Sequence, residues 1–166
     1  MTTADDRDGQ SGPGFVLGVG CERGTPPAEM IALVELSLRD AGLDAADILS
    51  IASLDTRAEE PAMIALADHF SVPFRVFDAA RLERETPRLA NPSSIVFSHT
   101  GCHGVAEAAA LAGAGAAGRL VVAKRKSPHA TAAIAESIQE VAAQASEQES
   151  RTSRIDSARA SAELAL

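Results

Sequence analysis

Residues 18–26 read Gly18-Val19-Gly20-Cys21-Glu22-Arg23-Gly24-Thr25-Pro26, and they separate an apolar run from a helical pattern. The run that they close, Phe15–Val19, is typical of a buried strand. Three glycines let the backbone turn sharply and bring its N–H groups close to a bound group. With Thr25 as the cap of a helix that starts at Pro26, and with Arg23 nearby, the turn predicts an anion-binding site.

The same turn is open to two other interpretations. It is also compatible with a tight connection between a strand and a helix that binds nothing. A phosphate or nucleotide site is the third interpretation, but Gly18, Gly20 and Gly24 form the pattern Gly-x-Gly-x-x-x-Gly, which is one residue longer than the dinucleotide fingerprint. Residues that follow the other strands are needed to choose among the three.

Composition excludes several classes of protein. The chain has 166 residues, 46% of them apolar, which suits one globular domain with a real core. It has no Trp or Tyr, five Phe and a net charge of −8, so we expect no nucleic-acid partner. Residues 1–14 lack a signal-peptide pattern and no segment approaches the roughly 20 apolar residues of a membrane span, so the sequence predicts a cytoplasmic protein without a membrane partner.

Strands and helices alternate along the first half of the chain. A helix over Pro27–Ala41 ends at Gly42, a strand over Ile48–Leu54 precedes a helix that begins at Pro61, and Phe74–Phe77 forms a third strand. This alternation predicts an α/β fold with a mainly parallel sheet and helices on both faces. Ligand-binding loops then belong at the carboxyl ends of the strands.

The second half of the chain allows alternatives. Asp78 is expected to cap a short helix, Gly104–Gly113 forms an Ala-rich helix, and Leu120–Ala123 forms a strand. Ile95–Phe97 suits either a strand or a helical turn capped by a serine. Thr131–Ile134 is either an antiparallel strand or part of a helix that extends to residue 145. The predicted division is a disordered tail at 1–13, a domain at 14–139 and a weakly helical or disordered tail at 140–166.

Polar and charged residues gather after the strands, where a parallel sheet places its ligands. Any one of them also has a simpler role as a helix cap, a first-turn acid or a solvated edge residue. Their common location favours a shared binding site. The predicted binding residues are Gly20, Cys21, Arg23, Gly24, Thr25, Asp55, Arg57, Glu60, Thr100, Gly101, Lys124 and Lys126.

A cluster of histidine and cysteine side chains raises the question of catalysis or metal binding. Cys102 stands near a helix start, where the helix dipole lowers a thiol pKa, so Cys102, His103 and Glu107 are the candidate catalytic residues. The spacing of His99, Cys102, His103 and Cys21 matches no recognised zinc pattern. We therefore expect no metal site and no cofactor.

Several motifs occur together in an order that resembles a known family. They are Gly18-x-Gly-Cys-x-Arg-Gly-Thr25, Leu54-Asp-x-Arg-x-x-Glu-Pro61, Asn91-Pro-Ser93, Gly104-Val-Ala-Glu-Ala-Ala-Ala-Leu111 and Leu120-Val-Val-x-Lys-x-Lys126 followed by Thr131. Over about residues 14–136 the chain resembles the cobalamin-biosynthesis family formed by the CobE proteins and the C-terminal domain of the CbiG cobalt-precorrin-5A hydrolases. The stretch Ser98–Gly104 departs from the family pattern, so its histidines and cysteine are particular to this chain or its near relatives.

The resemblance implies a three-layer α/β/α sandwich with a mixed, mainly parallel sheet. It favours a strand at Thr131–Ile134 and a helical turn at 93–97. It also implies a role in corrin-ring synthesis, with a precorrin-type corrinoid intermediate as ligand and other enzymes of the pathway as candidate partners. The ring carries acetate and propionate carboxylates, which Arg23, Arg57 and the lysines would bind. The alternative is a hydrolase that acts on a lactone or side chain of the ring.

Overall fold

Strand β1, Gly14–Cys21, lies at the centre of a five-stranded sheet. The computed structural model describes residues 14–138, so the predictions for the two tails lie outside the described residues. Strands β2 (Ile48–Leu54) and β3 (Phe74–Phe77) follow on one side of β1, and β5 (Ala130–Ser137) and β4 (Arg119–Lys126) follow on the other. Four strands point the same way, and β5 runs opposite to its neighbours β1 and β4.

The antiparallel placement of β5 follows from the short connection that precedes it. Three residues join β4 to β5, and the Ser127 N–H donates to the Ala130 carbonyl at 2.9 Å, which closes a hairpin. β5 then pairs with β1 along its whole length, from Cys21 opposite Ala130 to Gly14 opposite Ser137. The strand interpretation of Thr131–Ile134 is therefore correct, and the alternative helix is wrong over the described residues. Alanine favours helices locally, but this pairing outweighs that preference.

Helices cover both faces of the sheet and make three layers. On one face lie α1 (Pro27–Ala41) and α2 (Pro61–Phe70). On the other lie α3 (Ala79–Glu83) and α5 (Val105–Ala114). The α/β/α sandwich with a mixed, mainly parallel sheet is thus confirmed. Among the described residues, no helix has the length and apolar character needed to cross a membrane.

Each face of the sheet has its own buried core. Leu17 and Ile51 point toward α1 and α2, where they meet Met30 and Met63. On the opposite face, small side chains along α5 let this helix lie very close to β1. A Cβ on Gly18 would stand 1.8 Å from the Ala106 carbonyl oxygen. Gly18 is therefore a close-packing position inside β1 rather than part of a turn. β1 ends at Cys21, two residues beyond Val19, where the sequence predicts its end.

Helix α4, Ser94–Thr100, settles the second local ambiguity. The Ser93 hydroxyl accepts a hydrogen bond from the Val96 N–H at 3.2 Å. Serine therefore caps the helix, as the helical alternative predicts. Gly101 ends α4 with a positive φ of 82°, which glycine adopts without strain. Ile95–Phe97 is consequently helical, and the strand alternative is wrong.

Candidate functional site

Two hollows open beside the carboxyl end of β1 and share a wall made of Gly20, Cys21 and Val105. We call the first the lysine cleft, because Lys124 and Lys126 line it. It encloses about 400 Å³. The second, the arginine cleft, encloses about 350 Å³. The arginine cleft is lined further by Arg23, Leu54, Thr56, Arg57, His99 and Thr100. Because the two share a wall, a ligand larger than either one can extend across the end of β1.

Strand alternation explains how β4 supplies the lysine cleft. Successive side chains of a strand point to opposite faces. Lys124 and Lys126 therefore line the cleft, whereas Arg125 between them pairs with Asp40 of α1 at 2.7 Å. The basic run Lys124–Lys126 is thus divided between a cleft and an ion pair.

Arg57 has a double position in the arginine cleft. Its Nε donates to the Cys21 carbonyl at 2.8 Å, which fastens the end of β1 to the turn after β2. The side chain also lines the cleft together with Arg23. Two arginines from separate loops thus line the same hollow.

Glu107 does not line the lysine cleft but connects chain segments beside it. Its carboxylate accepts hydrogen bonds from the Asn91 N–H at 2.8 Å, the Asn91 side-chain amide at 2.9 Å and the Lys124 N–H at 2.9 Å. Its exposed fraction is 1%. Burial alone raises the pKa of Glu107, but these donors outweigh burial and lower it below 4.5. The carboxylate therefore joins three segments of the chain.

The turn after β1 differs from its predicted form. Thr25 is buried, and its hydroxyl donates to the carbonyls of Glu22 at 2.6 Å and His129 at 3.1 Å instead of capping α1. The cap position is Pro26, without a side-chain hydrogen bond. Gly24 has a φ of 80°, and its N–H donates to the Glu60 carboxylate at 2.8 Å. The capping prediction for Thr25 is wrong because two carbonyls compete for its hydroxyl.

The predicted acidic residues line a third hollow, of about 440 Å³, rather than the lysine cleft. Asp55 and Glu60 line it together with Glu59, and Arg23 reaches it from the turn after β1. A carboxylate ligand would meet three acids there. The structure therefore brings Asp55 and Glu60 near Arg23 but not beside the lysines.

An apolar surface borders the lysine cleft along α4. Ile95 and Val96 line the cleft, and Ile95 is 73% exposed. Phe97 is 43% exposed and stacks on the His103 ring with centroids 4.4 Å apart. The His103 Nδ1 hydrogen-bonds Glu83 at 2.8 Å, and this bond is the main cause that lowers the pKa of Glu83. A flat apolar ligand would find contact area here.

The two cysteines have different surroundings. Cys102 is fully buried, with its Sγ 3.4 Å from the Thr100 hydroxyl. Cys21 is partly buried and lines both clefts, and burial is the main cause that raises the pKa of its thiol above 9.0. Thr100 itself lines the arginine cleft, whereas Gly101 serves as the end of α4.

The sequence did not identify two parts of the site. One is the exposed apolar surface of α4, which is visible only once Ile95 is placed on a helix. The other is His129, which lines the lysine cleft from the turn between β4 and β5. A hairpin between Lys126 and Thr131 is the signal that could identify His129, because the turn of this hairpin lies beside the end of β1.

Comparison with known proteins identifies the family. Residues 15–135 match the family model described as "Cobalamin synthesis G C-terminus". The chain belongs to this family. A similar curated protein is Protein CobE of a Sinorhizobium species, which is 60% identical over 126 residues, or 76% of this chain and 82% of that protein.

Two further relatives cover different shares of their own length. The crystal structure of CobE, described as a protein from the cobalamin (vitamin B12) biosynthetic pathway, has a TM-score of 0.71 at 35% identity and covers 75% of this chain and 93% of that one. Cobalt-precorrin-5A hydrolase of Priestia megaterium is 28% identical over 121 residues. The match takes in 73% of this chain but only 32% of the hydrolase. This chain is therefore a protein of cobalamin biosynthesis that corresponds to about a third of the hydrolase.

Proposed function

We propose that this chain binds a precorrin-type corrinoid intermediate and assists, shields or transfers it. Such intermediates are flat rings that carry several carboxylates. The observation that supports the proposal is the shared wall at the end of β1, with cationic side chains in the hollow on either side. Membership of a cobalamin-biosynthesis family supplies the class of ligand.

The charges suit a ligand with carboxylates at separated positions. Lys124 and Lys126 reach one cleft, and Arg23 and Arg57 reach the other. A cation that donates to a carboxylate forms a shorter and stronger hydrogen bond than a neutral donor does. Carboxylates on different sides of one ring would therefore be held on both sides of β1.

The apolar surface and the cleft sizes suit the body of the ring. The exposed Ile95 offers apolar contact beside the lysine cleft. Each cleft also falls within the range of roughly 300–1,000 Å³ that is usual for small-molecule sites. A macrocycle that extends across the shared wall would use both volumes.

Absorbance titration of the full chain with a metal-free corrin polycarboxylate tests the proposal. We expect saturable binding, weakened about tenfold by Lys124→Gln because a charged hydrogen bond is lost. Arg125→Gln is the matched control, since Arg125 lies next in the strand but pairs with Asp40. No binding at ligand concentrations of tens of micromolar, or equal losses in both variants, would refute the proposal.

A second candidate function is hydrolysis of a lactone or side chain of the ring. It is favoured by the relative named cobalt-precorrin-5A hydrolase. It requires Cys102, His103 or Glu107 to reach the ligand, yet Cys102 is fully buried and Glu107 is 1% exposed. Under this alternative, Cys102→Ala or His103→Ala would abolish turnover and leave affinity nearly unchanged. Binding without chemistry predicts the largest effects from Arg23 and Lys124.

A further inference from the structure

A glutamate–histidine pair stands at the lysine cleft, outside the set of residues that the motifs indicated. His129, in the turn between β4 and β5, places its Nδ1 2.9 Å from Oε1 of Glu29 on α1. Oε2 of the same carboxylate accepts from the His129 N–H at 2.7 Å and from the Ser127 hydroxyl. Glu29 therefore fixes both the backbone and the ring of His129.

This arrangement determines which ring nitrogen remains for a ligand. A carboxylate accepts only, so Nδ1 must carry the proton that it shares with Glu29. Within residues 14–138, no protein group forms a hydrogen bond with Nε2 of His129. The His129 side chain is 50% exposed, whereas that of Glu29 is 19% exposed. The imidazole is thus oriented by Glu29 and half exposed, in a residue that lines the cleft.

We propose that His129, oriented by Glu29, binds a ligand carboxylate in the lysine cleft through its protonated imidazole. The identity of the ligand rests on the proposed function. The orientation of the ring does not, because the hydrogen bonds of Glu29 exist in the free protein. The lysine cleft then presents three cationic donors to the ligand, namely Lys124, Lys126 and His129.

The charges around His129 decide the sign of its pH dependence. Glu29 faces it from α1, Glu22 lies in the turn after β1, and Lys124 and Lys126 line the same cleft from β4. The hydrogen bond that His129 donates to Glu29 is the main cause that raises the pKa of His129 above 6.5, and the negative charges of Glu29 and Glu22 act in the same direction. His129 therefore stays charged to a higher pH than an ordinary histidine.

Above that pH the cleft loses one positive charge. Carboxylic acids in water titrate near about 4 and free lysine side chains near about 10, both outside the range from about pH 6 to about 9 in which histidine titrates. We expect affinity for a corrin polycarboxylate to fall about tenfold as pH rises through the pKa of His129. A second histidine, His99, lines the arginine cleft, so variants must separate the two histidines.

A measurement without ligand tests the orientation of the ring. In ¹⁵N NMR of the full chain we expect His129 to carry its proton on Nδ1 and to titrate above 6.5, with the signal assigned by its loss in His129→Gln. Glu29→Gln should lower that pKa. A His129 protonated on Nε2 in its neutral form, or a pKa insensitive to Glu29→Gln, would overturn the inference.

The ligand measurement follows affinity from pH 6 to pH 9 in the wild type and in His129→Gln. We expect the variant to bind about tenfold more weakly at pH 6 and to show a flat profile. His69→Gln is the matched control, because His69 also pairs with a glutamate, Glu35 at 2.7 Å, but on α2 away from the clefts. It should retain the wild-type profile.

The outcomes separate this inference from the proposed function. No binding by the wild type at pH 6 refutes the proposed function. Binding by the wild type with a flat pH profile, or a pH dependence that persists in His129→Gln, refutes the role of His129 alone. A second ligand in which amides replace the peripheral carboxylates should bind without the pH dependence, and a pH dependence with it would also contradict the inference.

Discussion

Gly18 is the position at which β1 and α5 approach most closely, and Gly18→Ala tests how the sandwich is packed. The added Cβ would lie 1.8 Å from the Ala106 carbonyl oxygen and 2.5 Å from the Ala110 nitrogen. Both atoms belong to the backbone of α5, so neither can move without moving the helix. Contacts of real Cβ atoms essentially never fall under 3.0 Å, and α5 must therefore retreat by roughly 1 Å or more.

The cost follows from this displacement. Overpacking of a core costs typically about 1–3 kcal/mol, and a gap of 0.5–1 Å along the rest of the interface forfeits a quarter to a half of each dispersion contact. Because α5 contributes half of the buried residues of the second core cluster, we expect Gly18→Ala to reduce the free energy of unfolding by about 3 kcal/mol. Urea denaturation followed by far-ultraviolet circular dichroism measures it.

Gly14→Ala is the matched control in the same strand. A Cβ at Gly14 would also be too close to a neighbour, at 2.5 Å, but that neighbour is the partly exposed side chain of Leu49, which can move. Alanine in a strand gains roughly 0.5–1 kcal/mol over glycine, which offsets this adjustment. We expect a change within about 1 kcal/mol. Equal stabilities of the two variants would refute the close-packing explanation of Gly18.

Three further variants test polar contacts, two of them beside the clefts and one at the end of α5. Glu107→Gln should lower stability by about 1–2 kcal/mol at pH 7. Since the pKa of Glu107 is lowered in the folded chain, its stabilisation is complete above about 4.5 and is lost at lower pH, so urea titrations should show a smaller acid effect in Glu107→Gln than in the wild type. Arg88→Met removes donors to carbonyls near the end of α5, including that of Gly118 at 2.9 Å, and should lower the unfolding free energy by about 1–2 kcal/mol in the same assay. Arg57→Lys loses the Nε bond to the Cys21 carbonyl and should weaken corrin binding several-fold in an absorbance titration while far-ultraviolet circular dichroism stays unchanged.

Each of these three expectations has a contradicting result. An acid transition of Glu107→Gln identical to that of the wild type would show that the carboxylate does not contribute through its charge. An Arg88→Met variant of full stability would mean that water replaces the guanidinium at the end of α5. Full affinity in Arg57→Lys would show that ligand binding at the end of β1 does not depend on the Nε hydrogen bond of Arg57.

The first half of the fold could be predicted because local signals and tertiary structure agree there. Helix α1 has periodic apolar residues, prolines at its start and Gly42 at its end, where the structure has a left-handed φ of 68°. The Asp78 side chain caps α3 at 2.7 Å as expected. Glycine favours turns, so the sequence predicts that β1 ends at Val19, whereas Gly18 and Gly20 pair with β5 as part of the strand.

The site could be predicted only as far as parallel topology reaches. The strands β1, β2 and β4 end at one edge of the sheet, so topology alone predicts that Arg23, Arg57 and Lys124 lie near that edge. In the structure they line two adjoining clefts there. Thr25 and His129 could not be assigned this way. Their roles depend on the hairpin that brings the His129 carbonyl to the Thr25 hydroxyl, 104 residues away along the chain. No local pattern carries such a contact.

Gly14 and Ser137 are paired across β1 and β5, so the two ends of the described domain lie side by side. β1 runs from Gly14 to Cys21, and both clefts lie at its Cys21 end. Gly14 and Ser137 therefore lie at the far end of β1 from the clefts. Circular permutation, with a brief glycine linker across residues 137 and 14, should preserve every strand neighbour and leave the clefts intact.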